Sequence, residues 1–154
     1  MDKSKQHTLG LLVLRLALGL IFVLHGWMNI LGGQESFLRE MLTMVGWSAP
    51  DLLVWLITGF ELLAGLALIL GVFTREAAAL LAIEMVVAVV LFHVRQGFFI
   101  VAIPNAPLAY GFEYHLSLVG GLVCLALGGS GAYALEGRIR KGTGADPVAA
   151  RPVG

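Results

Sequence analysis

Four stretches of the chain are apolar almost without interruption. They cover residues 9–31, 52–72, 77–94 and 114–127, and the last of them is the shortest. A helix needs about 20 apolar residues to cross the hydrocarbon core of a bilayer, because each residue advances it by about 1.5 Å. The pattern therefore predicts an all-α, polytopic membrane four-helix bundle, with helices 1 to 4 in chain order.

The connections after helices 1 and 3 are longer than simple loops. Residues 32–50 carry apolar side chains three or four positions apart with charged residues between them, which predicts a short amphipathic helix at the membrane interface. Residues 97–112 are apolar but contain Pro104 and Pro107, which favours an apolar lid over a fifth span. We expect a transmembrane domain over 9–136, a short tail at 1–8 and a disordered tail at 137–154.

The composition supports a membrane protein and argues against a soluble one. Hydrophobic residues make up 58% of the chain and charged residues 13%, whereas soluble domains carry about 25% charged residues. The ten basic and ten acidic residues cancel, so no net positive charge recruits nucleic acid. The single cysteine, Cys124, excludes an intrachain disulfide and a CxxC redox pair.

The basic residues outside the predicted spans are distributed unevenly. Two lie in the connections after helices 1 and 3, namely Arg39 and Arg95, whereas seven lie in the two tails and the turn between helices 2 and 3. Cytoplasmic segments carry an excess of Lys and Arg, so both termini are predicted to be cytoplasmic.

Three charged residues, Arg15, Glu61 and Glu84, fall inside the predicted spans, where each costs about 3 kcal/mol on insertion scales unless it faces a partner or a cavity. Counted from the cytoplasmic helix ends, Arg15 lies roughly 9 Å deep, Glu84 roughly 10 Å and Glu61 roughly 15 Å. These depths predict an ion pair between Arg15 and either Glu84 or Glu61. Such a pair can serve helix packing alone or take part in chemistry, and both interpretations stay open.

A second polar layer is predicted nearer the other face. His25 lies roughly 24 Å from the cytoplasmic end of its helix. Its side chain and that of Glu61 lean toward each other along antiparallel helices, which predicts a hydrogen bond between them, and Asn29 shares the face of His25.

Helix 3 raises a conflict between two candidate site residues. Glu84 and His93 are nine residues apart, so a regular helix places them on opposite sides. We therefore expect Glu84 in the bundle interior and His93, with Arg95, at the outer interface.

Buried His and Glu beside an apolar cavity are suited to binding a quinone, because they can hydrogen-bond its carbonyls and exchange protons. His25, Glu61 and Glu84 are the candidate proton-exchanging groups. The walls of such a cavity are expected from four aromatic side chains, Phe22, Trp27, Phe98 and Phe99. The same residues can instead belong to the core or to an aromatic belt, which for the three tryptophans, Trp27, Trp47 and Trp55, is the better interpretation.

A metal site is less well supported. Suitable donor atoms come from five residues: His25, His93, His115, Glu61 and Glu113. They lack a diagnostic local spacing such as HExxH, and Glu113 and His115 do not share a helical face. We therefore predict no metal.

Small residues recur at intervals of four on helix 4. Gly120, Cys124 and Gly128, with Ser117, form a surface for close helix contact, either with glycines of helices 1 and 2 (Gly19, Gly26, Gly59 and Gly65) or in a homo-oligomer.

The order of several short motifs resembles the DoxX family of small membrane proteins with four helices. The motifs are LRLALG at 14–19 with His25-Gly26, ELLAG at 61–65 with GVFTR at 71–75, Glu84-Met85, His93 with GFF at 97–99, Glu113, and GSGAYALE at 129–136. The resemblance covers 9–136. It implies a bacterial or archaeal inner-membrane protein, and it makes Arg15, His25, Glu61, His93 and Glu113 candidates for cofactor binding, with quinone as the candidate cofactor.

The resemblance also suggests a function, since the family takes its name from a subunit of a thiosulfate:quinone oxidoreductase. One interpretation is a membrane subunit that links a sulfur compound, a thiol or another reductant to the quinone pool, with a partner protein to supply electrons. The alternative is a non-catalytic anchor, assembly factor or small-molecule exporter whose buried charges are structural. The sequence leaves open whether the chain is an enzyme.

Overall fold

A computed structural model describes residues 2–31, 39, 41–43, 45–48, 51–101 and 109–137. Four main helices are present: α1 (Lys3–Ile30), α2 (Asp51–Leu70), α3 (Thr74–Ala88) and α4 (Glu113–Gly128). Helix α3 continues as a π-helix (Val89–His93) and a 3₁₀ turn (Val94–Gln96). Two-residue strands β1 (Ile100–Val101) and β2 (Ala109–Tyr110) then pair antiparallel, with Ile100 opposite Tyr110.

The four predicted helices are confirmed. Helix α1, helix α2 and the segment Thr74–Gln96 are each long and apolar enough to cross a membrane. Helix α4 has 16 residues, so its length of about 24 Å is shorter than a hydrocarbon core of about 30 Å. Residues 3–8, predicted as a tail, instead extend α1, because a helix once formed continues into polar residues at little cost.

Glycines bring α1 and α2 into backbone contact. A Cβ atom added to Gly19 would lie 2.7 Å from the carbonyl oxygen of Gly65, and one added to Gly65 would lie 2.8 Å from the backbone nitrogen of Val23. A Cβ on Gly26 would lie 2.8 Å from that of Leu62. In lipid the hydrophobic effect does not drive two helices together. Van der Waals packing at such close contacts stabilises their association instead.

The small-residue stripe of α4 does not join this contact. Gly120 and Cys124 are exposed, whereas the neighbouring Gly121 packs against Leu18 of α1. Gly59 of α2, another predicted partner, has no atom of a neighbouring element within 4 Å of its added Cβ. Close packing with glycines of helices 1 and 2 was therefore a wrong prediction for Gly120 and Cys124, and the homo-oligomer stays a prediction.

The interior is apolar and the outer faces are apolar as well. Core side chains such as Phe22, Leu68 and Leu122 are almost fully buried. Leu63 is 68% exposed and Leu127 is 75% exposed, on faces that lipid can cover. The fold therefore presents apolar surface outward, as expected for a protein within a bilayer.

The two long connections are described only in part. Residues 41–43 are helical, and the rest of the predicted interfacial helix lies mostly outside the described residues. In the second connection, the backbone N–H of Glu113 donates to the carbonyl oxygen of Phe98 at 2.9 Å, which ties the β1–β2 hairpin to the start of α4. Residues 102–108 of the predicted lid and residues 138–154 of the predicted C-terminal tail lie outside the described residues.

Candidate ligand-binding cavity

Arg15 is buried, with 1% of its surface exposed, and within the described ranges its partners are backbone carbonyls rather than a glutamate. Its Nε donates to the carbonyl oxygen of Leu68 at 3.0 Å, and Nη2 donates to that of Ile69 at 3.3 Å. The same guanidinium donates to the carbonyl oxygens of Ser130 and Tyr133, beyond the end of α4. Arg15 therefore caps the last turn of α2, whose carbonyls lack partners within the helix.

The predicted ion pair of Arg15 with Glu61 or Glu84 is therefore wrong. Leu68 lies seven residues after Glu61, so along α2 the guanidinium is about 10 Å from the level of that carboxylate. The carbonyls at the helix end are nearer and match the fork of guanidinium donors. Arg15 belongs to the packing of the bundle and lies outside the cavity described next.

A cavity of about 390 Å³ lies between α1, α2 and α3. Its polar lining consists of five side chains from the three helices: His25, Asn29, Glu61, Glu84 and His93. Its apolar lining includes Leu53 and Ile57 of α2 and several residues of α3. The connection between α1 and α2 adds Met41, Leu42 and Trp47. The volume falls in the range of about 300–1,000 Å³ that is usual for small-molecule sites, which are mostly apolar with a few polar groups.

Glu61 receives its hydrogen bond from Asn29. The Asn29 Nδ2 donates to Glu61 Oε2 at 3.2 Å, whereas His25 Nδ1 donates to the carbonyl oxygen of Ile21 on its own helix at 2.9 Å. The predicted His25–Glu61 hydrogen bond is therefore wrong, although both residues line the cavity. With its proton on Nδ1, a neutral His25 imidazole keeps Nε2 as an acceptor.

Glu84 is the second carboxyl group of the cavity. Its Oε2 atom is buried and has no hydrogen-bond partner among the described residues. It lines the same cavity as the carboxyl group of Glu61. A buried polar atom without a partner costs about 1–3 kcal/mol, so in native proteins such an atom calls for a specific explanation.

The π-helix at Val89–His93 turns His93 into the cavity. Its side chain is 6% exposed and lines the same space as Glu84, so the prediction that places His93 at the outer interface is wrong. A π-turn holds one more residue than an α-turn and therefore rotates everything after it by about 100°. The prediction assumed that the nine residues from Glu84 to His93 form a regular α-helix. Nothing in the sequence marks the extra residue that the π-turn contains.

His115 stands behind His93. The two imidazole rings are stacked with centroids 4.1 Å apart and planes 34° apart, and the Nδ1 atom of His115 is buried without a hydrogen-bond partner in the described part of the chain. Glu113 does not line the cavity; its Oε1 accepts a hydrogen bond from the backbone N–H of Ile100 at 3.2 Å and so holds the hairpin. His115 thus approaches the site although it was not among the predicted site residues.

The aromatic walls also differ from those predicted. Phe22 is buried in the core, and Trp27, Phe98 and Phe99 are exposed; none of the four lines the cavity. The aromatic lining comes from Trp47 and Phe92. Phe92 lies eight residues after Glu84, on the same face of a helix, so a helical-wheel argument could have found it.

A metal site receives no geometric support from these residues. Within the described ranges, no group of three or more His, Cys, Asp or Glu side chains is placed to hold a metal ion. The polar lining is instead suited to hydrogen bonds and proton exchange with a small organic molecule.

Comparison with known proteins gives the class of this protein. A family model named DoxX matches residues 10–94, and the chain belongs to the DoxX family. The chain is 27% identical over 140 residues to "Inner membrane protein YqjF" of Escherichia coli (strain K12), covering 90% of this chain and 98% of that protein. Together with its apolar helices, this similarity makes the chain an integral inner-membrane protein.

Two further relatives extend over similar lengths. "Putative oxidoreductase CatD" of Bacillus subtilis (strain 168) is 28% identical over 139 residues, covering 90% of this chain and 93% of CatD. A Haemophilus influenzae protein is 31% identical over 134 residues, covering 83% of this chain and 89% of its own length. No solved structure matches the chain significantly.

Proposed function

We propose that this DoxX protein is a quinone-binding membrane subunit of an oxidoreductase system that links a sulfur compound, a thiol or another reductant to the quinone pool. The observation that carries the proposal is the cavity, which gathers two glutamates, two histidines and an asparagine from three membrane helices around an otherwise apolar space. Ionisable groups are expensive within a bilayer and typically mark a ligand or proton pathway.

The polar lining fits both forms of a quinone. The oxidised ring carries two carbonyl acceptors, which the Asn29 amide and a protonated carboxyl group can meet as donors. The reduced ring carries two hydroxyl donors, which the Nε2 atom of His25 and the unpartnered Oε2 atom of Glu84 can accept. A bound quinone would supply the two-electron chemistry, and this chain's side chains would orient the ring and hold or release protons beside it.

The proposal includes a partner protein as the source of electrons. The one cysteine, Cys124, is exposed on α4 and is not among the residues that line the cavity, so a thiol pair within this chain cannot pass electrons to the ring. The name of the relative CatD, an oxidoreductase by its description, supports a redox setting for proteins of this shape.

Calorimetry tests the proposal. It measures how tightly a tailless dimethoxy-methyl-benzoquinone binds to the purified full chain in lipid nanodiscs. Replacing Glu84 by Gln removes a proton-exchanging group at nearly constant volume, and His25→Ala removes an acceptor. We expect each to weaken binding about tenfold, equivalent to about 1.4 kcal/mol. The matched control is Glu76→Gln, on the exposed first turn of α3.

Quinone carried through purification gives a second measurement. Mass spectrometry of lipid extracts is expected to find quinone with the wild-type chain and with Glu76→Gln, and much less with Glu84→Gln. A wild-type chain that neither retains quinone nor binds the probe would contradict the proposal.

One observation favours the alternative of a non-catalytic anchor, assembly factor or exporter. Arg15, the most deeply buried charge, is used entirely for packing against backbone carbonyls. Under this alternative, Glu61→Gln and Glu84→Gln leave growth under thiol or quinone stress unchanged while Arg15→Leu abolishes the protein. Impaired growth under these stresses in cells that produce Glu84→Gln as a folded protein would instead support the quinone-binding role.

A further inference from the structure

We infer that the cavity encloses only the head group of its ligand, and that an apolar tail leaves sideways between α2 and α3 into the bilayer. This inference deepens the proposed function and rests on it. It names the substrate class as a lipid-soluble molecule with one polar ring, delivered from the membrane.

The first observation is the lining between α2 and α3. Leu53 and Ile57 of α2 lie four residues apart on one helix face, opposite Val87, Ala88 and Leu91 of α3. Val87 lines the cavity although 48% of its surface is exposed, so this side chain stands at an edge where the cavity meets the outer surface. The other four side chains of this edge, those of Leu53, Ile57, Ala88 and Leu91, are partly exposed as well.

The second observation is how the helices pair. Helix α2 packs mainly on α1, through the contacts of Gly19, Gly26 and Gly65, and α3 packs mainly on α4. Although a turn of only three residues, 71–73, joins α2 and α3, these two helices contact each other much less than each contacts its own partner. The bundle is thus two helix pairs, and the cavity lies between them, where α2 and α3 are in less close contact than the helices within each pair.

The third observation combines volume with polarity. A cavity of about 390 Å³ is near the lower end of the usual range of about 300–1,000 Å³, which suits a substituted ring but not a long hydrocarbon chain in addition. The polar groups of the lining are His25, Asn29, Glu61, Glu84 and His93, whereas the five side chains named above for the edge between α2 and α3 are all apolar. A tail passing this edge stays in an apolar surrounding, which favours its burial there.

A bulky side chain at the edge tests the inference. Ala88→Trp places an indole in the path of the tail, and Val87→Trp does so from the exposed rim, where folding is less affected. The control Ala17→Trp adds the same side chain to the exposed face of α1. The probes are the tailless dimethoxy-methyl-benzoquinone and its decyl analogue, titrated into the full chain in nanodiscs, with melting curves to verify folding.

We expect each edge variant to weaken binding of the decyl analogue at least tenfold more than it weakens binding of the tailless probe, with Ala17→Trp changing neither. Equal weakening of both probes, or no weakening of either in a folded variant, would overturn the tail path while leaving the quinone site intact. Failure of the wild-type chain to bind either probe would instead overturn the proposed function.

Discussion

The guanidinium of Arg15 on α1 donates a hydrogen bond to the carbonyl oxygen of Leu68 on α2 at 3.0 Å, inside a bundle where both residues are almost fully buried. In lipid, no water is at hand to replace this bond. The sequence suggests an ion pair for Arg15, but its guanidinium caps α2 instead. The loss in free energy of unfolding when it is removed can therefore be estimated.

Arg15→Leu is expected to destabilise the bundle by about 3–5 kcal/mol, since several buried carbonyls lose their donor. Arg15→Lys should recover only part of this, because an ammonium lacks the planar fork of donors. Because Arg15 donates to backbone carbonyls and not to Glu84, adding Glu84→Leu should not rescue Arg15→Leu. Thermal melting followed by size exclusion in detergent measures the effect, with Arg95→Leu, at an exposed position, as the control.

Gly65→Ala is expected to destabilise the protein by about 1–3 kcal/mol, the usual cost of forcing extra volume into a packed contact. The new Cβ would meet backbone atoms of Val23 and Gly19 within 3 Å, and backbone cannot move aside as a flexible side chain can. Gly59→Ala in the same helix meets nothing within 4 Å and should be neutral or stabilising by up to about 1 kcal/mol. Equal melting temperatures for the two variants would argue against the close α1–α2 contact.

Glu61→Gln and Glu61→Leu are expected to differ in stability although both lose the carboxylate. The Gln carbonyl oxygen can still accept the hydrogen bond from Asn29, whereas Leu leaves the buried amide unpaired at a cost of about 1–3 kcal/mol. Chemical unfolding in mixed micelles measures the difference. If both variants unfold alike, the Asn29–Glu61 hydrogen bond contributes nothing measurable to the fold.

Deletion of Val90 should convert the π-turn into a regular α-turn while keeping His93 in the cavity, because Glu84 and His93 would then be eight residues apart and separated by only about 80° around a regular helix. We expect the deletion variant to bind quinone nearly as tightly as the wild type, whereas His93→Ala weakens binding. Calorimetry with the tailless probe compares the two. Binding by a folded deletion variant that is as weak as that of His93→Ala would show that the extra residue of the π-turn does not bring His93 to the face of Glu84.

The helices could be predicted from the sequence because the bilayer imposes a simple rule on length and polarity. The bounds of α2 differ from the prediction by one residue at the start and two at the end. The candidate polar residues could also be found, since Glu61 and Glu84 stand out in apolar surroundings.

The hydrogen-bond partners and the orientation of the polar residues could not be predicted, because both depend on backbone geometry that the residue pattern does not encode. Arg15 was assigned a carboxylate because a charge attracts an opposite charge, but main-chain carbonyls of a helix end were closer. His93 was assigned to the wrong face because one extra residue in a turn changes the phase of everything that follows. Both errors concern backbone geometry, which side-chain patterns report only for regular helices.

The capping of α2 by Arg15 also constrains the order in which the chain can mature. Arg15 enters the membrane with the first helix to be made, whereas Ser130 and Tyr133, which accept its hydrogen bonds, belong to the segment after α4. During synthesis the guanidinium can therefore meet its acceptors on α2 first, and it reaches its full set of hydrogen bonds only after α4 and the residues that follow it have been made. The segment after α4 thus completes the cap on α2 as the last step in the assembly of the four helices.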